Sequence, residues 1–550
     1  MPTLLITNGL IIDGTGGEPY QGHVLVDDDR ITAVVRADSK DAEALLKKGA
    51  DKTIDAAGLA VSPGFIDAHS HFDWVAPLPG HDGIIYPVVE QGVTTVITGN
   101  CGFSPAPVMK DQGQLLNAFA EFCLERPLDC SWQGMGEFLD TLAAGSLLLN
   151  HAQLTGHGTA HLSVCRDVNR MPSVTEMDSM LETLRESLVQ GSFGISLGLM
   201  YPPGMFYSQD ELARVVGVAA QEGRILTVHK RALSRYSMSY PIVPFFGRPH
   251  NLKALEEMLS IGLETGVKLQ ISHLIFVGRH SWSTAPKAVE MIEQAAARGL
   301  QVRFDIYPHF CGNSYLNVFL PPWFMADIDN NLENPMAVRR LKFELKMAQY
   351  LRGFKLADIQ IMQAGYAEGE QFNGLDIVEI GRRLAMQPTD ALLYLVKKSE
   401  GKALQLTYGY SGDDAHEEVI ESMMAHPRCL FMTDTVLKSE GFANPASYGA
   451  FPRILGHFAR DKKVLSLSDA VARMSSETAR WFGIKERGEI TPGYFADLAL
   501  WNPDTIADRT TRTNTLSRPA GMEHVFINGK QVVEHGAYLG GSLNGRVLRW

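Results

Sequence analysis

Residues 63–71 read PGFIDAHSH, a short apolar run that breaks off into two histidines at alternate positions. Seven more runs of this kind follow along the chain. They are TTVITGNCG near 97, AQLTGHG near 154, SFGISLGL near 195, RILTVHK near 227, KLQISHL near 271, QVRFDIYP near 304 and RCLFMTD near 431. Between them lie stretches such as 210–223 and 285–300, with apolar residues at i, i+3 and i+4 and a glycine near the end, which is helical spacing. Eight strand-and-helix units predict an α/β chain built as a (β/α)8 TIM-type barrel. The interval from about 309 to 428 is too long for one helix and predicts an insertion.

The two ends of the chain follow another pattern. Residues 3–60 and the last stretch hold short alternating segments separated by Gly and Asp, which read as strands and turns. Asn528-Gly529 between two such segments predicts a tight hairpin. The expected organisation is a small β-sandwich domain from residues 1–60 and 483–550, around a barrel of residues 61–482.

Enzymes on this barrel work at the C-terminal ends of the strands. Those ends carry His69 and His71, Cys101, His229, His273 and Asp434. Residues i and i+2 of a strand share a side, so His69 and His71 can both face the barrel mouth. Imidazoles with a thiolate are the donor set expected for zinc. Such a centre polarises a substrate carbonyl and supplies a metal-bound hydroxide, and Asp434 would act as general base and then acid. Taken singly, each residue has an ordinary reading: a satisfied polar side chain, a small buried thiol, a helix cap. Metal-type residues at five of eight strand ends outweigh those readings. His157, His161, His309 and His457 keep the ordinary one. So do Cys123 and Cys130, in an amphipathic helical stretch and its exit.

Composition narrows the function class. The 550 residues are 45% hydrophobic and 20% charged, a globular balance that excludes disordered and fibrous chains. The net charge of -12 comes without long runs of one sign, so neither nucleic acid nor an anionic membrane is an expected partner. No stretch approaches the roughly 20 apolar residues of a membrane span. The opening residues read as strand and turn instead of a signal peptide. Six irregularly spaced cysteines form no disulfide framework, and a cytoplasmic location is expected.

At these residues the chain resembles the amidohydrolase superfamily, and within it the D-aminoacylase (N-acyl-D-amino-acid deacylase) family. The matching stretches are PGFIDAHSH (63–71), GNCGFSPAP (99–107), LTGHGT (154–159), GISLGLMYPPG (194–204), ISHL (271–274), DIYP (305–308), LPPW (320–323), YGAFPRILG (448–456) and ERGEITPGYFADLALWNP (486–503), then FINGK and GRVLRW. The resemblance implies zinc-dependent hydrolysis of an amide in a small-molecule substrate. It implies that Cys101, His229 and His273 hold a tight zinc, and that His69 and His71 serve a second, weaker position that Cys101 bridges. With Cys101 in that place, no carboxylated lysine is expected. Asp434 matches the catalytic aspartate.

The departures lie where the family holds the substrate carboxylate. Its lysine is Ile275 here, its arginine is Ala446, and its serine is Asn313, although Tyr307 is kept. The aspartate sits in Thr433-Asp434-Thr435 in place of a Ser-Asp-Gly context. The hydrolytic centre therefore reads as intact and the specificity pocket as altered, with Tyr307, Asn313, Lys230 and Arg231 as candidate substrate contacts. The expected substrate is an amide other than an ordinary free-acid N-acyl-D-amino acid. The alternatives are a cyclic amide, carbamate or ester hydrolysed by the same centre, and a non-catalytic scaffold.

Overall fold

Each of the eight runs forms a strand in the computed structural model, which describes residues 3–237, 239–240 and 247–550. They are β1 (Phe65–Asp67), β2 (Val93–Thr98), β3 (Asn150–Gln153), β4 (Gly194–Gly198), β5 (Ile225–His229), β6 (Lys268–Ile271), β7 (Val302–Ile306) and β8 (Cys429–Phe431). Neighbours pair in parallel from β1 through β3 and from β4 through β8. A short continuation of β3, Thr155–Gly156, carries the pairing to β4. Between β8 and β1 the Ala68 amide donates to Phe431 O (3.2 Å) and the Asp434 amide to His69 O (2.9 Å). The chain is thus a (β/α)8 barrel, as its sequence predicts.

The helices form where the spacing puts them. Gln209–Gln221 starts on a reciprocal cap between Ser208 and Glu211 and buries Leu212, Val215, Val216 and Ala219. Ala285–Ala297 buries Ala288, Ile292 and Ala295. These side chains join Ile195, Leu197, Leu226 and Val228 of the strands in one continuous apolar cluster.

Both chain ends build a single nine-stranded sheet. Leu4–Ile11, Tyr20–Asp27, Arg30–Arg36, Lys52–Asp55 and Ala60–Pro63 come from the first part, and Leu498–Trp501, Met522–Ile527, Lys530–Glu534 and Ala537–Tyr538 from the last. The ends meet where Ala60 pairs with Trp501, antiparallel. Asn528 (φ 49°) and Gly529 (φ 78°) make the expected two-residue turn, with Ile527 opposite Lys530. The final residues do something the sequence reading did not anticipate. Val547–Leu548 pairs in parallel with β3 at the barrel wall.

A buried polar knot ties this sheet to the barrel. Asp497 pairs with Arg487 and accepts from Asn150 of β3 (3.0 Å) and from the Asn528 amide (2.8 Å). Asn528 in turn donates to Asn150 (2.9 Å). Arg487 and Asp497 are 2% and 3% exposed, so removing one partner strands a charge in the interior. Arg487→Met is expected to cost about 3–5 kcal/mol of stability, measured as a lower denaturant midpoint at unchanged slope. An unmoved midpoint would show the pair to be dispensable.

The predicted insertion follows β7. Cys311–Tyr315, Ile359–Gln363 and Leu404–Tyr408 form an antiparallel sheet with the last strand in the middle. Helices including Pro335–Arg352 and Pro388–Lys398 pack Leu341, Leu392 and Leu395 against Ile361 in a separate core. Among the described residues no helix is long and apolar enough to cross a membrane.

Candidate metal centre

The strand ends bring the six residues together at one mouth. Ligand atoms of His69, Cys101, His273 and Asp434 lie within 4.8 Å of one another. The Cys101 Sγ is 3.3 Å from His69 Nε2 and 3.5 Å from His273 Nε2. Asp434 Oδ1 is 3.3 Å from His69 Nε2 and 3.7 Å from His71 Nε2. The His229 ring sits edge-on to His273, with centroids 4.4 Å apart. His69, His71, Cys101 and His273 are buried, and the Asp434 side chain keeps 22% exposure, so the cluster opens to solvent at the carboxylate.

Local backbone sets these directions. Cys101 (φ 56°), His273 (φ 30°) and Asp434 (φ 52°) all occupy left-handed conformations, uncommon for residues with a Cβ. The loop carrying Cys101 presses against β3. A Cβ at Gly99 would lie 2.1 Å from Leu154 O, so GNCG needs that glycine.

Two buried carboxylates that the sequence reading passed over hold the backbone of the clustered residues from beneath. Asp67 accepts from the His69 amide (3.2 Å) and from the Thr433 amide (3.0 Å) and hydroxyl (2.5 Å), tying β1 to the segment that carries Asp434. Burial pushes its carboxyl up to about 7, against the pull of those donors. Asp305 accepts from the His273 amide and from Gln270, both at 2.6 Å. The signal was present: a carboxylate inside an apolar strand run, as in FIDA and RFDI, is costly to bury without donors waiting for it.

Electrostatics favour an anionic thiol among cationic partners. Burial raises the Cys101 thiol, but His69, His229 and His273 outweigh it and hold it well below its ordinary value. Burial works against protonation of His69 too, yet Cys101 and Asp434 lift it to about 10. Burial and the neighbouring His273 lower His229 to about 4, and its Nε2 finds no hydrogen-bond partner. A thiolate, a carboxylate and several imidazoles converging on one point, with His229 held neutral and its buried ring nitrogen orphaned among the described residues, fit a zinc ion once His69 gives up its proton.

The remaining expectations divide. Tyr307 is buried with its hydroxyl unpartnered, and Asn313 accepts from Asn444 (3.1 Å) beside a cleft. Lys230 is buried with no partner for Nζ among the described residues, and burial lowers it to about 7. Arg231 is corrected. Its guanidinium pairs with Glu257 (3.0 Å) and donates to the carbonyls of Met205 and Tyr207, which leaves it a brace between loops, not a substrate contact. Cys123 follows the helix Gly113–Phe119 and is buried in an apolar cluster with Leu116 and Ala120, as a small hydrophobe would be, yet near enough to His71 for its thiol to raise that imidazole. His161, His309 and His457 have the ordinary partners expected of them, Tyr207, Asp508 and Glu417. Ile275 and Ala446 are buried and bring no charge.

Comparison with known proteins gives a consistent picture. The model of the amidohydrolase family matches residues 52–533. A D-aminoacylase of Alcaligenes xylosoxydans xylosoxydans is 30% identical, over 99% of this chain and 97% of that protein. An N-acyl-D-glutamate deacylase of the same organism is 29% identical over 96% and 92%. The solved structure of an N-acyl-D-glutamate deacylase from Bordetella bronchiseptica, complexed with zinc and a phosphonate inhibitor, superposes with a TM-score of 0.78. It is 27% identical, with 100% of this chain and 99% of that one covered.

Proposed function

Because the chain belongs to the amidohydrolase family, we propose that its barrel mouth hydrolyses a linear amide in a small molecule with the help of zinc. The observation that carries this reading is the convergence of His69, Cys101, His273 and Asp434 within 4.8 Å. Cys101, His229 and His273 would hold the tighter ion, and His69 and His71 a second one that Cys101 shares. Bound there, zinc polarises the substrate carbonyl and lowers the pKa of a water. Asp434 then takes the proton of the attacking water and returns it to the departing amine. Its position at the solvent-facing edge of the cluster suits that traffic. Tyr307, whose buried hydroxyl has no partner among the described residues, would donate to the substrate.

The substrate is the point of departure from the relatives. A carboxylate next to the reacting amide would meet Ile275 and Ala446, which are 6% and 0% exposed and apolar. Desolvating a carboxylate without a cation is unfavourable. The comparison that tests this is kcat/KM for an N-acetyl-D-amino acid against its uncharged C-terminal amide, at fixed pH and zinc. The neutral compound should win. A tenfold advantage for the free acid, about 1.4 kcal/mol, would mean that another cation does the work of the missing two.

A further inference from the structure

Past Asp434 the chain runs outward through Val436 to Lys438, and both line a cleft of about 70 Å³ together with Asn313, Phe442 and Tyr448. The cleft continues outward into a wider space of about 560 Å³ that Lys438, Gln363 and Leu404 also border. Neither Ile275 nor Ala446 lines either part. Lys438 is half-buried. Its ammonium donates to Leu124 O (2.7 Å) and makes no ion pair among the described residues, so two of its three donors are unspent. The acids around it are engaged or exposed. Glu121 pairs with Lys402 (3.0 Å), Glu125 accepts from the Ser439 amide (3.1 Å), and Glu440 and Glu370 stand exposed at the rim. Burial lowers the ammonium against the pull of Cys123, Glu125 and Glu121, as it does for a cation short of a close counter-charge.

We propose that this cleft receives the non-reacting end of the substrate, and that Lys438 binds there a carboxylate several bonds removed from the scissile amide. The inference rests on the amide-hydrolase reading and deepens it. The place beside the reacting carbonyl has lost its cations, while a half-buried cation stands four residues past Asp434 in a cleft that Val436 and Asn313 also line. Lys438 lies four positions on from Asp434, so their Cα atoms are at most about 14 Å apart. An N-acyl amine bearing a terminal acid on a flexible chain can span a distance within that limit. Asn313, within the same lining, adds an amide that can donate to the acid's second oxygen once it turns from Asn444.

The probes are N-acetyl-6-aminohexanoate and its methylamide, titrated calorimetrically into zinc-loaded enzyme. An Asp434→Asn background keeps the probes intact. The acid should bind at least tenfold more tightly than the methylamide. Lys438→Met should abolish that preference and leave the methylamide within twofold, and Lys438→Arg should restore most of it. An acid that binds no better than the methylamide, or a preference that survives Lys438→Met, overturns the subsite. The amide-hydrolase reading fails separately. If the enzyme with Asp434 intact binds the acid through Lys438 but cleaves no amide, the subsite stands and the reaction is wrong.

Discussion

Cys101→Ala is expected to lose most of its bound zinc and nearly all activity while the barrel stays folded. The thiol is the anionic donor nearest the middle of the cluster, 3.3 Å and 3.5 Å from two imidazoles. Its surroundings already hold it as thiolate, the form that binds metal. Without it the histidines lose the charge that compensates a divalent ion. Alanine fits the same loop, since Gly99 and Gly102 on either side keep the freedom that shapes it. Elemental analysis with a thermal melt reads metal and fold apart. Zinc retained at one equivalent with near-normal turnover would remove Cys101 from the centre. The proper control is Cys165→Ala. Cys165 is buried at the end of a helix, whereas the Cys123 thiol raises His71 and so lies too near the centre to serve.

Asp434→Asn should lower kcat by at least about 10², within the 10²–10⁴ typical of general acid–base groups, with zinc still bound at the tighter position. Burial alone would raise this carboxyl, but His69 and His273 keep it ionised well below the ordinary carboxylate range. Asparagine preserves size and removes the negative charge together with the capacity to take a proton. The acidic limb of the rate profile should change with it, because the ionisation that it reports is gone. An asparagine variant of ordinary turnover, zinc-loaded, would hand the proton to another group.

The strands were legible because each is a short apolar run closed by polar residues, and the helices because their apolar spacing is strict. The clustered residues were legible for a related reason. In this barrel, chemistry collects at strand ends, so His229 and His273 announce themselves by position. What could not be read are long-range partnerships. Nothing near Arg231 marks Glu257 as the carboxylate that claims it, or Asp67 as the anchor of Thr433, far along the chain. Cys123 is the small buried residue that its sequence suggests, and only the fold shows that it lies near enough to His71 to influence it. Leu404–Tyr408 lies between two strands of the insertion that precede it, an order that only the folded sheet decides. The cleft beside Asn313 is of the same kind. Lys438 is one lysine among many in the sequence, and folding alone sets it in that cleft.

The left-handed backbone at Cys101, His273 and Asp434 has a consequence for selection. Each such residue costs of order 1–3 kcal/mol relative to a conformation it prefers, and glycine at the same place avoids most of that. The centre and the fold therefore compete at the same three positions. A library screened for heat resistance alone would drift towards glycine there and yield sturdier barrels with no ligands at the mouth. One screened for turnover would keep the strain and accumulate compensating changes elsewhere, with the polar knot around Arg487 and the separate core of the insertion as natural places to gather them.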